Sequence, residues 1–239
     1  MYFTDIHSHI LSCTDDGAAS EEVMYQMLDR AYASGTRRLC ATPHYMPAFY
    51  GDNRHSSEHA FSLLSAYAAE KYPDMQLSLG NEMGYFTECK GALERKECRL
   101  LGGKYLLLDF LPNVSVFTMR YAVDELLSGG CSLILAHIER YEALEGKFDL
   151  INEWVRRGAL LQMDADAFSS RAKFGFRRYV KQLMMRCPIH LIASDMHDLD
   201  GRRPELDCAA HAISKMYGED EAEFLLSYMP GCILDGKKL

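Results

Sequence analysis

The chain lacks the marks of several large protein classes. No apolar run among its 239 residues approaches the roughly 20 that a membrane helix requires. The first residues read straight into a strand pattern with no signal peptide, so a soluble cytoplasmic protein with no membrane span is expected. Basic residues are the minority, 26 against 34 acidic, for a net charge of −8. A nucleic-acid face needs clustered Lys and Arg, so nucleic acid is not expected as a partner. No Cys-x-x-Cys pair occurs: Cys13, Cys40, Cys89, Cys98, Cys131, Cys187, Cys208 and Cys232 are scattered. They read as reduced thiols in a cytoplasmic protein, not as a disulfide scaffold. No Pro/Ser/Gly-rich linker or low-complexity stretch divides the chain, so residues 1–239 are expected to form a single domain.

What the chain does have is a repeated pattern. Seven short apolar runs each end at or near a potential metal ligand. Tyr2–Ile6 leads into His7-Ser8-His9, Leu39–Thr42 into His44, Leu77–Gly80 into Glu82, and Tyr105–Leu108 into Asp109. Leu133–Ala136 ends at His137, Leu160–Met163 at Asp164, and Ile189–Ser194 at Asp195-Met196-His197. Helical patterns lie between them. Ser20 can cap a helix with Val23, Met24, Met27, Leu28, Ala31 and Tyr32 on one face, ended by Gly35. Ser56 or Ser57 can begin the next, with Pro73 as its stop. Others cover Thr118–Ser128, Phe148–Arg157, Phe174–Arg186, Glu205–Tyr217 and Asp220–Tyr228, while Glu88–Leu100 is helix or loop. Strand–helix alternation implies parallel pairing with crossovers. An open doubly wound sheet gathers ligands at one switch point, so ligands on every strand favour a closed or nearly closed α/β barrel.

Each candidate ligand has a bland alternative. His7 and His9 sit two apart and share a strand face, yet a lone His-x-His is more often structural. Asp15-Asp16-Gly17 supplies a turn with two carboxylates. Glu82 has two oxygens with which to bridge cations. Asp109 and His137 end all-apolar runs typical of strands buried on both faces, where a bare carboxylate costs several kcal/mol. The coincidence of so many N and O donors, with Asp195 and His197 repeating the first strand's spacing, points to one multinuclear metal site. His55 and His59 share a solvated helix face, and His190 and His211 read as structural. Cys89 and Arg95 have the Cys-x5-Arg spacing of thiolate tyrosine phosphatases. That loop carries Glu94, which would repel phosphate, and a single Gly, so it is set aside.

These segments resemble the polymerase and histidinol phosphatase (PHP) superfamily, and within it the bacterial PHP-type tyrosine-protein phosphatases of capsule and exopolysaccharide gene clusters. The matching stretches are Asp5–Ile10, Asp15–Ala18, Ala41–Tyr45, Gly80–Glu82, Tyr105–Phe110, Ala136–Tyr141 and Ile192–His197, in order over nearly the whole chain. The resemblance implies a distorted seven-stranded (β/α) TIM-like barrel holding two to three divalent metal ions, manganese first, with Fe, Zn, Co or Mg as alternatives. By position it implies His7, His9, Asp16, His44, Glu82, Asp109, His137, Asp195 and His197 as ligands, with Glu82 bridging. Arg140 and Arg202 match the arginines expected to bind phosphate. The pattern departs at Asp109, where Glu is usual, at Ile138, where Pro is usual, and at Met163–Asp166, which adds carboxylates. The expected chemistry is phosphotyrosine hydrolysis by metal-activated water, on a protein such as the tail of a tyrosine autokinase that controls polysaccharide export. Asp198, beside His197, is a candidate proton donor or a solvated loop residue. A small-molecule phosphomonoesterase of the histidinol-phosphate type, or a phosphodiesterase, is the alternative.

Overall fold

The computed structural model describes residues 1–169 and 173–239. Among them nine strands pair in parallel: β1 (Phe3–Asp5), β2 (Thr36–Ala41), β3 (His44–Tyr45), β4 (Gln76–Leu79), β5 (Glu82–Gly84), β6 (Tyr105–Asp109), β7 (Ser132–Leu135), β8 (Leu160–Asp164) and β9 (Leu191–Ala193). They form a three-stranded sheet, β1-β2-β4, and a six-stranded one, β3-β5-β6-β7-β8-β9. The fold is α/β with a curled parallel sheet.

Two expected strands, Leu39–Thr42 and Leu77–Gly80, form as β2 and β4, and each is followed by a short second strand. Pro43 has no N–H to give a ladder, so β2 stops at Ala41 and resumes as β3 at His44. Gly80 and Asn81 separate β4 from β5, the Asn81 N–H turning to the Arg99 carbonyl at 3.0 Å. The gaps are stitched by other means: Gly80 N–H donates to the Ala41 carbonyl at 2.8 Å, and Asn81 Nδ2 donates to the Pro43 carbonyl at 2.9 Å. At the opposite edge a parallel bridge joins Ser8 to Met196, with the Asp195 N–H donating to the His7 carbonyl at 3.0 Å.

Alternation along the strands sorts side chains into two layers. Leu106 and Leu108 of β6, with Leu133 and Leu135 of β7, pack outward with helical residues such as Met119, Val123, Ile151 and Trp154. Tyr105, Leu107, Ile134, Leu191 and Ala193 face the other way, with Ile6 and Cys40. That inner layer is a dry floor, and the polar residues at the strand ends stand above it. Leu107 and Asp109 share a side of β6, so the carboxylate follows the inner layer. Buried on both faces, the strands read as continuous apolar runs.

The helix Glu21–Ala33 is capped by Ser20, whose Oγ accepts from Val23 N–H, and ends before Gly35 at φ +107°. After a single turn at Pro47–Tyr50, the second long helix runs Arg54–Lys71 and begins before the serines. Ser56 and Ser57 donate back to the Asn53 carbonyl, while Asn53 Nδ2 bonds the carbonyls of Thr14 and His44. The stretch 88–100 holds only a short helix, Cys89–Glu94, and the last helical region continues through Phe224–Tyr228 to Leu234.

Candidate metal centre

All nine sequence-assigned ligands meet above the floor. Among the described residues five groups have candidate ligand atoms lying within 4.8 Å of one another, and four hold these nine: His9, Asp16, His44 and His197; His7, His9 and Asp195; His7, Glu82 and His137; and His44, Glu82 and Asp109. The fifth is the all-carboxylate set Glu139, Asp164 and Asp166. Glu82 is the hub. Its Oε1 lies 3.3 Å from His7 Nε2 and 3.0 Å from His137 Nε2, and its Oε2 lies 3.2 Å from His9 Nε2 and 2.9 Å from His44 Nδ1. Asp195 Oδ1 faces His7 and His9 at 3.3 and 3.4 Å. Asp16 Oδ1 faces His44 and His197 at 3.5 and 3.4 Å. Asp109, although one methylene shorter than glutamate, still stands 3.4 Å from His137 Nε2 and accepts from Tyr141 Oη at 3.1 Å.

Backbone conformation aims two of these side chains. His137 and Asp195 have φ of +30° and +49°, in the left-handed region that costs a non-glycine residue of order 1–3 kcal/mol. Ile134 and Ala136 already occupy the inner positions of β7. His137 would follow outward in an extended strand, and the left-handed turn redirects it. In the Asp15–Gly17 turn, a Cβ on Gly17 would fall 1.9 Å from the His9 carbonyl oxygen. Only glycine lets that turn approach the strand.

A supporting layer fixes the imidazoles. His9 Nδ1 pairs with Asp15 Oδ2 at 2.7 Å, and His7 Nδ1 with Gln162 Oε1 at 3.0 Å, which leaves each Nε2 facing the cluster. Gln162 Nε2 donates in turn to Asp164 Oδ1 at 2.7 Å. Asp164 joins none of the imidazole groups. Its Oδ2 lies 2.6 Å from Arg140 Nε, and Arg140 Nη1 lies 2.9 Å from Asp195 Oδ2. Arg202 Nη1 reaches the same Asp195 oxygen at 3.2 Å, and its Nη2 reaches Asp16 at 3.5 Å. Asp195 therefore touches imidazoles through one oxygen and both arginines through the other.

Gln162 and Asp15, which hold the imidazoles of His7 and His9, each carry a signal in the sequence. Gln162 shares a strand face with Leu160 and Asp164 and is the odd polar residue of its run. Asp15 adjoins Asp16 in the same turn. The Tyr50 ring stacks on His44 at 5.4 Å between centroids, 6° from parallel, and nothing in the sequence pattern marks it.

Charge balance argues that the cluster is built for cations. Burial opposes a charged His137, yet Asp109, Glu82 and Asp164 outweigh it and lift its pKa to about 10. His7 and His9 are likewise raised against burial, by Glu82 with Asp195 and by Asp15 with Glu82. Burial, with His9 beside it, lowers His197 to about 4. Among the described residues the buried Glu82 Oε2 and His197 Nε2 make no well-aligned hydrogen bond, although His44 and His9 stand 2.9 and 3.2 Å from the first and Asp16 3.4 Å from the second. Imidazole and carboxylate atoms packed this closely without satisfying one another fit divalent ions such as manganese, iron, cobalt or zinc. Binding them would displace the imidazole protons.

Asp198 accepts the N–H of Asp200 and Gly201. Burial would raise its pKa, but these N–H groups and that of Arg202 outweigh it and hold the carboxylate below its usual range. Cys89 is fully buried, its thiol pushed up to about 12 mainly by burial, and Arg95 is engaged by Glu97. A thiol so far from ionisation is no nucleophile. Cys89→Ser is therefore expected to change the rate of aryl phosphate hydrolysis less than about twofold; a dead but folded variant would restore the thiolate reading. His190 Nδ1 accepts from Leu161 N–H, and burial lowers its pKa to about 4, a neutral structural residue. His55, His59 and His211 are exposed.

Comparison with known proteins places this geometry. The family model "Capsular polysaccharide synthesis, CpsB/CapC" matches residues 3–235. The chain is 30% identical over 236 residues to the tyrosine-protein phosphatase CpsB of Streptococcus pneumoniae, covering 96% of this chain and 97% of that one. It is 25% identical over 218 residues to the tyrosine-protein phosphatase YwqE of Bacillus subtilis, covering 90% and 85%. A solved structure from work on YwqE and CpsB, described as metal-dependent tyrosine phosphatases, superposes with a TM-score of 0.88 at 24% identity over 99% of this chain and 96% of that one. With a family model spanning nearly its whole length and relatives aligned end to end, the chain belongs to the CpsB/CapC family of capsular polysaccharide synthesis proteins.

Proposed function

We propose that this chain is a metal-dependent tyrosine-protein phosphatase that hydrolyses phosphotyrosine on a protein of the capsule or exopolysaccharide machinery, with a tyrosine autokinase tail as the favoured substrate. One observation carries the reading: Asp195 joins both arginines to a cluster of donors suited to several cations. The proposed ligands are His7, His9, Asp16, His44, Glu82, Asp109, His137, Asp195 and His197, for two to three divalent ions with manganese the first choice. When bound, such ions supply positive charge for phosphoryl oxygens and lower the pKa of a water to about 7.

The protein's own part is positioning. Arg140 and Arg202 converge on one carboxylate oxygen, so their planar guanidiniums can turn onto the oxygens of a phosphoryl group. Asp164 holds Arg140 through Nε, while Nη1 lies on Asp195 and Nη2 stands 3.8 Å from Asp166. A tyrosine phenolate, with pKa about 10, leaves with little help from an acid. This suits a site whose Asp198 is occupied as a turn acceptor, and we assign that residue to the turn. The reading also takes β2 with β3, and β4 with β5, as single interrupted strands, so that seven strand positions ring the site as a distorted barrel; the Ser8–Met196 bridge supports it. Residues 1–239 would act as one cytoplasmic unit. No helix among the described residues is long and apolar enough to cross a membrane.

The test compares a phosphotyrosine peptide, histidinol phosphate and bis-p-nitrophenyl phosphate, each with manganese and with EDTA. The expected result is manganese-dependent, EDTA-sensitive turnover that is fastest on the peptide. Faster turnover of histidinol phosphate or of the diester would replace this reading with a small-molecule phosphatase or a phosphodiesterase.

A further inference from the structure

A cleft of about 1000 Å³ opens beside the metal centre, and Arg140 and Arg202 line its inner end. One wall is the turn Ala165–Phe168 directly after β8, with Phe176 from the first turn of the helix Phe174–Arg186. The other is the segment after His197, through Arg203, with His211 from the helix Asp207–Tyr217. The volume lies at the top of the range for sites that enclose a small ligand, which is room for an aromatic residue and a stretch of backbone.

Charge is distributed unevenly along this cleft. At the inner end two guanidiniums share the Asp195 carboxylate. Farther out, Arg203 is matched by Glu205 at 3.3 Å, and Asp166 and Asp207 also line the cleft, so among the described residues its outer part carries more carboxylate than guanidinium. Phe168 and Phe176 are both half-buried, packed against the core yet still lining the opening. An anion-binding end beside two apolar aromatic side chains has the polarity of an aryl phosphate, and the carboxylates farther out leave the second anionic charge nowhere to sit but at the arginines.

Resting on the phosphatase reading above, we propose that this cleft is the leaving-group subsite: Phe168 and Phe176 hold the phenol ring of phosphotyrosine, and the strip toward Arg203 and His211 takes the adjoining peptide backbone. The two phenylalanines are then specificity determinants. They favour an aromatic ester over an aliphatic one without touching phosphorus. Leaving-group pKa already favours a phenolate over an alkoxide; the two phenylalanines add selectivity for the ring at the binding step.

The experiment measures kcat/KM for a phosphotyrosine peptide, p-nitrophenyl phosphate and glycerol 2-phosphate with the manganese-loaded full chain, wild type and Phe168→Leu/Phe176→Leu. Leucine keeps the apolar packing, and thermal melting verifies that the variant is folded. Each single leucine variant is measured alongside, so that a misfolded double variant still leaves a readout. The expected result is that the ratio of peptide to glycerol 2-phosphate falls about tenfold, carried by KM more than kcat, since ring–ring contact is lost. Competition by the non-hydrolysable substrate analogue phenylphosphonate should weaken in parallel. An unchanged ratio in folded variants overturns the subsite while leaving the phosphatase reading intact. A wild type that hydrolyses none of the three esters ends both.

Discussion

Glu82→Gln is expected to lower kcat/KM for an aryl phosphate about 1000-fold or more, and to leave the purified protein with fewer bound divalent ions than wild type. Glu82 is fully buried, with four imidazoles within 3.3 Å of its two oxygens. Glutamine keeps the shape but removes the charge, and it turns one acceptor into an NH2 donor aimed at those imidazole nitrogens. A carboxylate can serve two cations through two oxygens; an amide serves one, weakly. Metal-centred charge stabilisation is worth several kcal/mol, and at about 1.4 kcal/mol per tenfold losing most of it gives that factor. Metal analysis beside the kinetics separates two causes: a variant with fewer ions and little rate fits a bridging ligand. A variant with a full complement of ions and a rate within tenfold of wild type would remove Glu82 from the centre of the site.

Much of this centre was legible in the sequence because the physics that buries parallel strands also marks their ends. Between helices on one side and a dry interior on the other, β6 and β7 have no position for a polar residue until the chain emerges. Leu106-Leu107-Leu108 and Leu133-Ile134-Leu135 therefore announce Asp109 and His137. What was not legible depends on partners distant in the chain. Nothing near Asp164 says that Arg140 will reach it, so its strand-end position suggests a metal ligand where the structure places an arginine anchor. Gln162 looks like an interruption until His7 Nδ1 is found beside it. The break at Pro43 follows from its missing N–H, but the side-chain stitch from Asn81 that spans it does not. The helix Arg54–Lys71 starts ahead of Ser56 and Ser57 for a similar reason: the serines bond backward to the Asn53 carbonyl, and the Asn53 side chain is engaged by Thr14 and His44.

The second large effect concerns the arginine that this network holds. Arg140→Ala is expected to lower kcat/KM for phosphotyrosine peptide about 100- to 1000-fold, the cost of removing a preorganised donor from developing charge, while the bound metal is retained. Arg140→Lys should recover little of it: one ammonium cannot hold Asp164 and Asp195 together and still present a pair of donors to phosphate. Asp164→Asn tests the anchor. Asparagine presents an acceptor or a donor to Arg140 Nε but no charge, so the guanidinium should lose orientation before it loses presence, with a fall of about tenfold that is shared by inorganic phosphate as inhibitor. The ordering Arg140→Ala below Arg140→Lys below Asp164→Asn, at constant metal content, is what a phosphate clamp steadied by a buried carboxylate produces. If Asp164→Asn instead sheds metal while phosphate inhibition is unchanged, Asp164 acts through Gln162 on His7, and the clamp has another support.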